Sequence, residues 1–155
     1  MTPMPKALIA TDGSDYANAA ATSAKKVLAA GTEFTLLTVV PPPVMPVGAP
    51  VTGIEAAPIA TPETTEELTE AYKEEANQNL ERTASAMGGD VTRRIEYGDA
   101  AAEICRVAEG EHFDVIVVGS HGSGFVKRVF LGSVSQHLLH HAPCPALVVR
   151  ATDHS

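Results

Sequence analysis

Cations are scarce in this 155-residue sequence: eleven Lys and Arg face nineteen Asp and Glu, for a formal charge of -8. Such an acid surplus makes a poor grip for a polyanion, so neither nucleic acid nor an anionic membrane surface is an expected partner. Long apolar runs are missing as well. Nothing approaches the ~18 apolar residues of a membrane span, and the opening MTPMPKALIA has one Lys and no apolar core of signal-peptide length. The expected location is the cytoplasm. Cysteine is limited to Cys105 and Cys144. They lack paired-ligand spacing and sit in apolar patterns, where a thiol behaves as a small hydrophobe, so neither a structural disulfide nor a zinc site is expected. No internal repeat is visible.

What is present suits one globular unit. A hydrophobic fraction of 45% with 19% charged residues and a mean hydropathy just above zero can bury a core, and the length matches a single domain over 1–155. Seven of the acids lie between Glu63 and Glu81 with only Lys73 among them, which reads as a solvated helix face.

Hydrophobic period and punctuation give the order of elements. Ala7 to Ala10 is a short apolar run ended by Thr11-Asp12-Gly13-Ser14, a strand and its turn. Asp15 to Ala30 is alanine-rich and predicts a helix with Ala20, Ala24, Val27 and Leu28 on one face and Gly31 as terminator. Phe34 to Val40 is β-branched and aliphatic, and its continuous rather than alternating hydrophobicity suggests a strand covered on both faces. Seven of the eleven prolines then fall between Pro41 and Pro62, which predicts a long loop over 41–62. Leu68, Tyr72, Ala76, Leu80 and Met87 mark a second helix, stopped by Gly88-Gly89. Val91 to Tyr97 alternates like an edge strand. Asp99 to Gly110 reads as a third helix, Val115 to Val118 as a buried strand, Ser133 to Ala142 as a fourth helix before Pro143, and Ala146 to Val149 as the last strand. Strands and helices alternate throughout. The right-handed crossover rule therefore predicts an α/β fold, a doubly wound five-stranded parallel sheet with helices on both faces.

In such sheets ligands sit at the carboxyl ends of strands where the winding reverses, so the loops after the first and fourth strands are where chemistry is expected. After Val118 comes Gly119-Ser120-His121-Gly122-Ser123-Gly124, and after Phe125 to Leu131 comes Gly132-Ser133-Val134-Ser135 at a helix start. Glycines let backbone approach a phosphate or ribose, and the first amides of a helix form an anion site, here joined by the Ser133 and Ser135 hydroxyls. Neither a G-x-x-x-x-G-K-[ST] loop nor a complete G-x-G-x-x-G occurs, so Walker and dinucleotide chemistries lose support. Tight-turn and helix-cap roles for the same glycines and for Asp12 remain open on the residues alone. His137 and His141 stand i and i+4 with His140 between them; without a third ligand nearby they read as surface or interface histidines rather than a metal site.

The spacing Gly119-x2-Gly122-x9-Gly132-Ser133, the acid Asp12 after the first strand, and the closing Ala142-Pro143-Cys144-Pro145-Ala146-Leu147-Val148-Val149 resemble the universal stress protein family, specifically its ATP-binding branch. The resemblance runs from Lys6 to Arg150. It implies a Rossmann-like fold of the adenine nucleotide alpha hydrolase type, a stress-linked regulatory role, and ATP bound across the first and fourth strands. The base would pair with main chain near Val39. The ribose would lie on Gly119 and Gly122, and the phosphates on Gly122, Gly132, Ser133, Val134 and Ser135. Ala10, Thr11 and Asp12 would line the cavity, with Asp12 meeting the ribose or a divalent ion. His121 could bond phosphate or ribose but has no identifiable orienting acid, so it is not assigned as a general base.

Because ATP adds negative charge to an acidic chain whose 123–131 segment has only Lys127 and Arg128, Mg2+ is the expected companion. Those two residues read as a solvated lid rather than phosphate contacts. A slow ATPase or nucleotidyl-transfer enzyme in the same cleft, and an interaction module with a vestigial cleft, are the alternatives; a dedicated enzyme is not expected. The resemblance also implies a homodimer through Ala146 to Val149.

Overall fold

The computed structural model describes residues 3–40, 62–120 and 132–150. The expected loop over 41–62 lies outside them except for Pro62, which opens a helix, a position its fixed φ and missing amide suit. The segment with His121, Gly122, Lys127 and Arg128 lies outside them too.

Among the described residues nine elements follow in strict alternation: β1 Lys6–Ala10, α1 Asp15–Val27, β2 Glu33–Val40, α2 Pro62–Met87, β3 Thr92–Tyr97, α3 Ala100–Gly110, β4 Val115–Gly119, α4 Ser133–His141 and β5 Ala146–Val149. All five strands are parallel, in the order β3-β2-β1-β4-β5. The chain winds outward from β1 through β2 to β3, then returns to β4 on the other side of β1. The reversal lies between β1 and β4, where a crevice opens beyond the strand ends.

Residue parity sorts the core into two layers, because successive strand side chains face opposite ways. Leu8, Leu37, Ile116 and Val118 pack with Ile104, Val107 and Ala108 of α3 and Leu138 of α4. Ile9, Leu36 and Val117 pack with Ala21 and Ala24 of α1 and with Leu80, Ala84 and Met87 of α2. Strands β1, β2 and β4, whose hydrophobicity does not alternate, are thus covered on both faces, as their sequences require.

Helix α1 is shorter than its sequence suggests. It ends at Val27, with Leu28 extended as its C-cap. Val27 is 67% exposed, while Leu28 turns back onto the α1–α2 layer. The buried face is all alanine: Ala17, Ala20, Ala21 and Ala24. In α2 the described acids from Glu66 to Glu81 are exposed, as expected of a solvated face, but Leu68 at the amino end is 41% exposed as well. The edge strand β3 carries Arg94 paired with Glu96 and Glu111, and Arg106 of α3 reaches Glu96 and Glu103. Tyr97, read as part of the apolar side of β3, is instead 48% exposed.

Candidate functional site

The crevice is built by four chain segments. At the exit of β1, Thr11 has every polar group engaged. Its amide donates to Leu37 O (2.9 Å), its carbonyl accepts from Thr38 Oγ1 (2.9 Å), and its hydroxyl oxygen accepts from the Gly13 amide (3.0 Å). The same hydroxyl lies 2.7 Å from that of Thr83 on α2. Asp12 follows, half-buried, and its Oδ1 accepts from the Ser14 amide at 3.0 Å, an Asx turn. Ser14, not Asp12, caps α1, accepting from the Ala17 amide. The turn role that the residues alone left open for Asp12 is therefore real. Ala10, just before, is half-buried and closes the β1 ladder opposite Leu37.

At the exit of β4, Gly119 pairs with Val149. Ser120 follows, buried; its amide donates to Val149 O and its carbonyl accepts from the Gly132 amide, both at 2.9 Å. That last bond seats the start of α4 at the end of β4. Gly132 is the N-cap and offers no side chain to the helix amides. Ser133 is exposed and Val134 half-buried. Ser135 is turned inward: it is 2% exposed, and its hydroxyl donates to Gly132 O at 2.9 Å. The expectation of an outward Ser135 hydroxyl is corrected here, because its one hydrogen closes the first turn of α4. What α4 directs outward is main chain, whose leading amides have no acceptor within the helix and carry the positive end of its dipole.

The fourth segment is the end of β2. Its register with β1 stops at Ala10 and Leu37, while pairing with β3 runs on through Val39 with Glu96 and Val40 with Tyr97. Main-chain polar groups alternate sides along a strand. Leu37 O faces β1 and Val40 O faces β3, where it accepts from Gly98. Val39 shares the parity of Leu37, so its amide and carbonyl point toward the space beyond the end of β1.

Ala10, Thr11, Asp12, Val39, Gly119, Gly132, Ser133, Val134 and Ser135 are thus gathered around the carboxyl ends of three neighbouring strands. Two cavities bordered by described residues lie elsewhere. One of about 910 Å3 runs along Glu66, Glu70 and Glu74, and one of about 300 Å3 lies between Lys25, Gly31 and Gly89 at the opposite ends of the strands.

The reading of the residues missed the polar support beneath Asp12, namely Thr83 and Asn79 of α2, Asn18 of α1 and Thr38 of β2. A signal existed for Thr83, a polar residue inside the apolar stripe Ala76, Leu80, Ala84, Met87, and completely buried.

The sequence profile of the universal stress protein family matches residues 4–150. The chain belongs to that family. Among its relatives, a universal stress protein of Methanothermobacter thermautotrophicus is 34% identical over 102 residues, 61% of this chain and 69% of that protein. Universal stress protein MJ0577 of Methanocaldococcus jannaschii is 35% identical over 83 residues, 54% of this chain and 51% of that protein. The matched stretch thus spans about half the length of that relative and of those from Staphylococcus aureus. In structure, the MJ0577 protein superposes with a TM-score of 0.77 at 28% identity over 98% of this chain and 99% of that one. A universal stress family protein of Arabidopsis thaliana with AMP bound superposes at 0.64 with 20% identity, covering 96% and 95% of the two chains, and so shares the fold.

No described helix of this universal stress protein is long and apolar enough to cross a membrane. Its two thiols are free. Burial raises both above the ordinary thiol range, helped by Glu109 at Cys105 and by Asp114 and the Cys105 thiol at Cys144. His137 and His141 are exposed with ring centroids 4.6 Å apart, and no group of three potential metal ligands occurs among the described residues.

Proposed function

We propose that this universal stress protein binds ATP, as its magnesium complex, in the crevice between the exits of β1 and β4, and acts as a nucleotide-responsive regulator rather than a dedicated enzyme. The observation that carries the reading is Gly132. Its backbone is ordinary for any residue, with φ -63° and ψ 161°. A Cβ there would meet Ser120 O at 3.5 Å and Ser135 Oγ at 3.9 Å, ordinary contacts among the described residues. The fold's described parts do not require glycine at this N-cap, where Ser, Thr, Asn or Asp would satisfy an amide. A phosphate that takes the place of the cap does.

The remaining parts fit an adenine nucleotide. Val39 turns one donor and one acceptor into the crevice, the pair an adenine edge requires. Gly119 faces the ribose, and the contacts expected of His121 and Gly122 fall outside the described residues. The amides of Ser133, Val134 and Ser135 receive the phosphate tail, and Gly132, its own amide held by Ser120 O, lets that tail approach without a side chain in the way. Asp12 is the one described carboxylate on this rim, and Mg2+ is commonly held by one or two carboxylates plus nucleotide phosphates and water. It fits as a ligand of a magnesium ion that arrives with the nucleotide, screening the phosphates from an acidic chain. Two proteins that share the fold, one with AMP bound and one in complex with cAMP, support the reading.

Calorimetric titration with Mg-ATP tests the reading, using Gly132→Ser beside the parent. The parent is expected to bind one equivalent at micromolar to sub-millimolar concentration. The serine hydroxyl caps α4 internally, leaving stability equal or a few tenths of a kcal/mol higher (about that much separates Ser from Gly at an N-cap), while binding weakens at least about tenfold through a lost charge-assisted contact. Silence of the parent at millimolar Mg-ATP ends the proposal. Phosphate release from the same samples separates binding from turnover.

A further inference from the structure

Beneath Asp12 lies a chain of hydrogen bonds whose direction can be worked out by counting protons. Thr83 Oγ1 has two groups in reach that only accept, Asn18 Oδ1 at 2.6 Å and the Asn79 carbonyl at 3.2 Å, so its single hydrogen is committed to them, and the shorter contact directs it to Asn18. Thr83 then has none left for Thr11, and the 2.7 Å contact between the two hydroxyls is a donation from Thr11 to Thr83. Thr11 Oγ1 in turn accepts from the Gly13 amide. The sequence runs one way, from Gly13 N–H to Thr11, to Thr83, to Asn18, and each bond polarises the next.

Thr83 is 0% exposed and Thr11 6% exposed, so neither hydroxyl has water as a substitute partner. One helical turn before Thr83, Asn79 presses on the same loop. A Cβ built on Gly13 would sit 2.3 Å from Asn79 Oδ1, and Gly13 itself holds φ +77°. The loop that presents Asp12 is therefore clamped from below by two residues, i and i+4, on one face of α2. That face reaches across to α1 through Asn18, so the two helices and the loop form one hydrogen-bonded unit.

We propose that Thr83, with Asn79 beside it, is a positioning residue for the Thr11–Gly13 loop, so that nucleotide affinity at that loop and the seating of helix α2 are energetically coupled. This deepens the nucleotide reading above and rests on it for the ligand. Linkage makes the coupling reciprocal: a perturbed Thr83 weakens the ligand, and the ligand steadies α2.

The test compares the parent with Thr83→Val, Thr83→Ser and the double variant Thr11→Val/Thr83→Val, with Val107→Ala in the opposite layer as a control for lost stability. Thr83→Val keeps the shape but removes the relay and strands the Thr11 hydroxyl. The double variant leaves no hydroxyl hydrogen stranded beneath the loop but takes the Gly13 amide's acceptor, and Thr83→Ser keeps the whole chain of bonds and is expected to fold whatever the valine variants do. Mg-ATP affinity should fall about fivefold or more in both valine variants, recover to within about twofold in Thr83→Ser, and stay at the parental value in Val107→Ala; one lost hydrogen bond is worth a change of about this size. Hydrogen exchange of α2 amides from 76 to 87 should slow on adding Mg-ATP to the parent but not to the valine variants. Parental affinity in the double variant, or α2 exchange indifferent to ATP in a parent that binds it, overturns the coupling. Should the parent bind no ATP, the nucleotide reading fails separately, and ligand-free exchange at Ser14, whose amide bonds Asp12 rather than Thr11, decides the positioning role. It must be faster in the double variant than in Val107→Ala, and equal rates overturn it.

Discussion

Gly13 and Gly132 are both glycines beside the crevice, yet they are glycines for opposite reasons. Gly13 sits at φ +77° with Asn79 against the place its side chain would take, so the fold itself needs the bare backbone. Gly13→Ala is expected to cost about 1–3 kcal/mol, the sum of a left-handed alanine and a collision. Adding Asn79→Ala should return the collision part only. Chemical denaturation of the two variants separates the contributions, and a double variant as stable as the parent would show that conformation contributes nothing. The thiols carry the pH prediction at this scale. Their folded pKa values are raised, so both states hold the proton below the unfolded thiol value, about 8.5, and this contribution to stability is fully present there. Above it the unfolded chain ionises first, and the contribution is lost as pH rises through the folded values. Alkylation of the native protein by iodoacetamide should accordingly be slower than that of free cysteine at pH 8 and catch up only at higher pH. Equal rates at pH 8 would contradict it.

Among the elements, α1 is distinguished by an apolar face with no long side chain. Ala20, Ala21 and Ala24 are fully buried, which lets the helix lie close to both α2 and the sheet. A larger residue has nowhere to go: Ala24→Leu is expected to destabilise by about 1–3 kcal/mol despite its added apolar area, read as a lower urea midpoint at unchanged slope. Strand and helix identities were legible because β1 and β4 are short apolar runs, β2 is aliphatic and β-branched without a polar alternation, and the helices keep a 3.6-residue period between glycines. Ends were less so. Val27 continues the period of α1 but falls at the last helical residue, where the chain turns and Leu28 takes the inward place. The crevice could be located from Asp12, Gly119 and Gly132 because winding order alone puts their strands side by side. The Thr83 relay was beyond reach, since pairing residues 72 positions apart requires knowing that α2 lies across the β1 exit.

At the level of the whole molecule, the two sheet edges are unlike. The β3 edge carries Arg94 and Glu96 tied into ion pairs with α3 and its C-cap, and Arg93 pairs with Glu81; such charge discourages another strand from docking. The β5 edge is Ala146-Leu147-Val148-Val149, four uncharged residues, each partly exposed. This asymmetry supports a homodimer formed by β5 of one copy meeting β5 of another. The main chain identifies the residue that matters. Pro145 O and Val149 O accept from Ile116 and Ser120, so odd-numbered residues face β4, and the Val148 amide and carbonyl face outward. Val148→Pro therefore deletes an outward donor while sparing the ladder to β4, a substitution an edge strand tolerates. The expected result in light scattering is a parent of twice the chain mass and a monomeric variant. The accompanying stability loss, about 1–2 kcal/mol, comes from the trimmed Val148 side chain, which packs on the α3–α4 layer. A variant that stays dimeric would move the interface away from β5, and a monomeric parent would remove it. Either way Mg-ATP titration of the variant remains informative, because β4 ends between the two features: Gly119 pairs with Val149 on one side, and Ser120 holds Gly132 on the other. If dimerisation braces that junction, the monomer binds nucleotide more weakly than the dimer, and affinity rises with protein concentration in the parent alone.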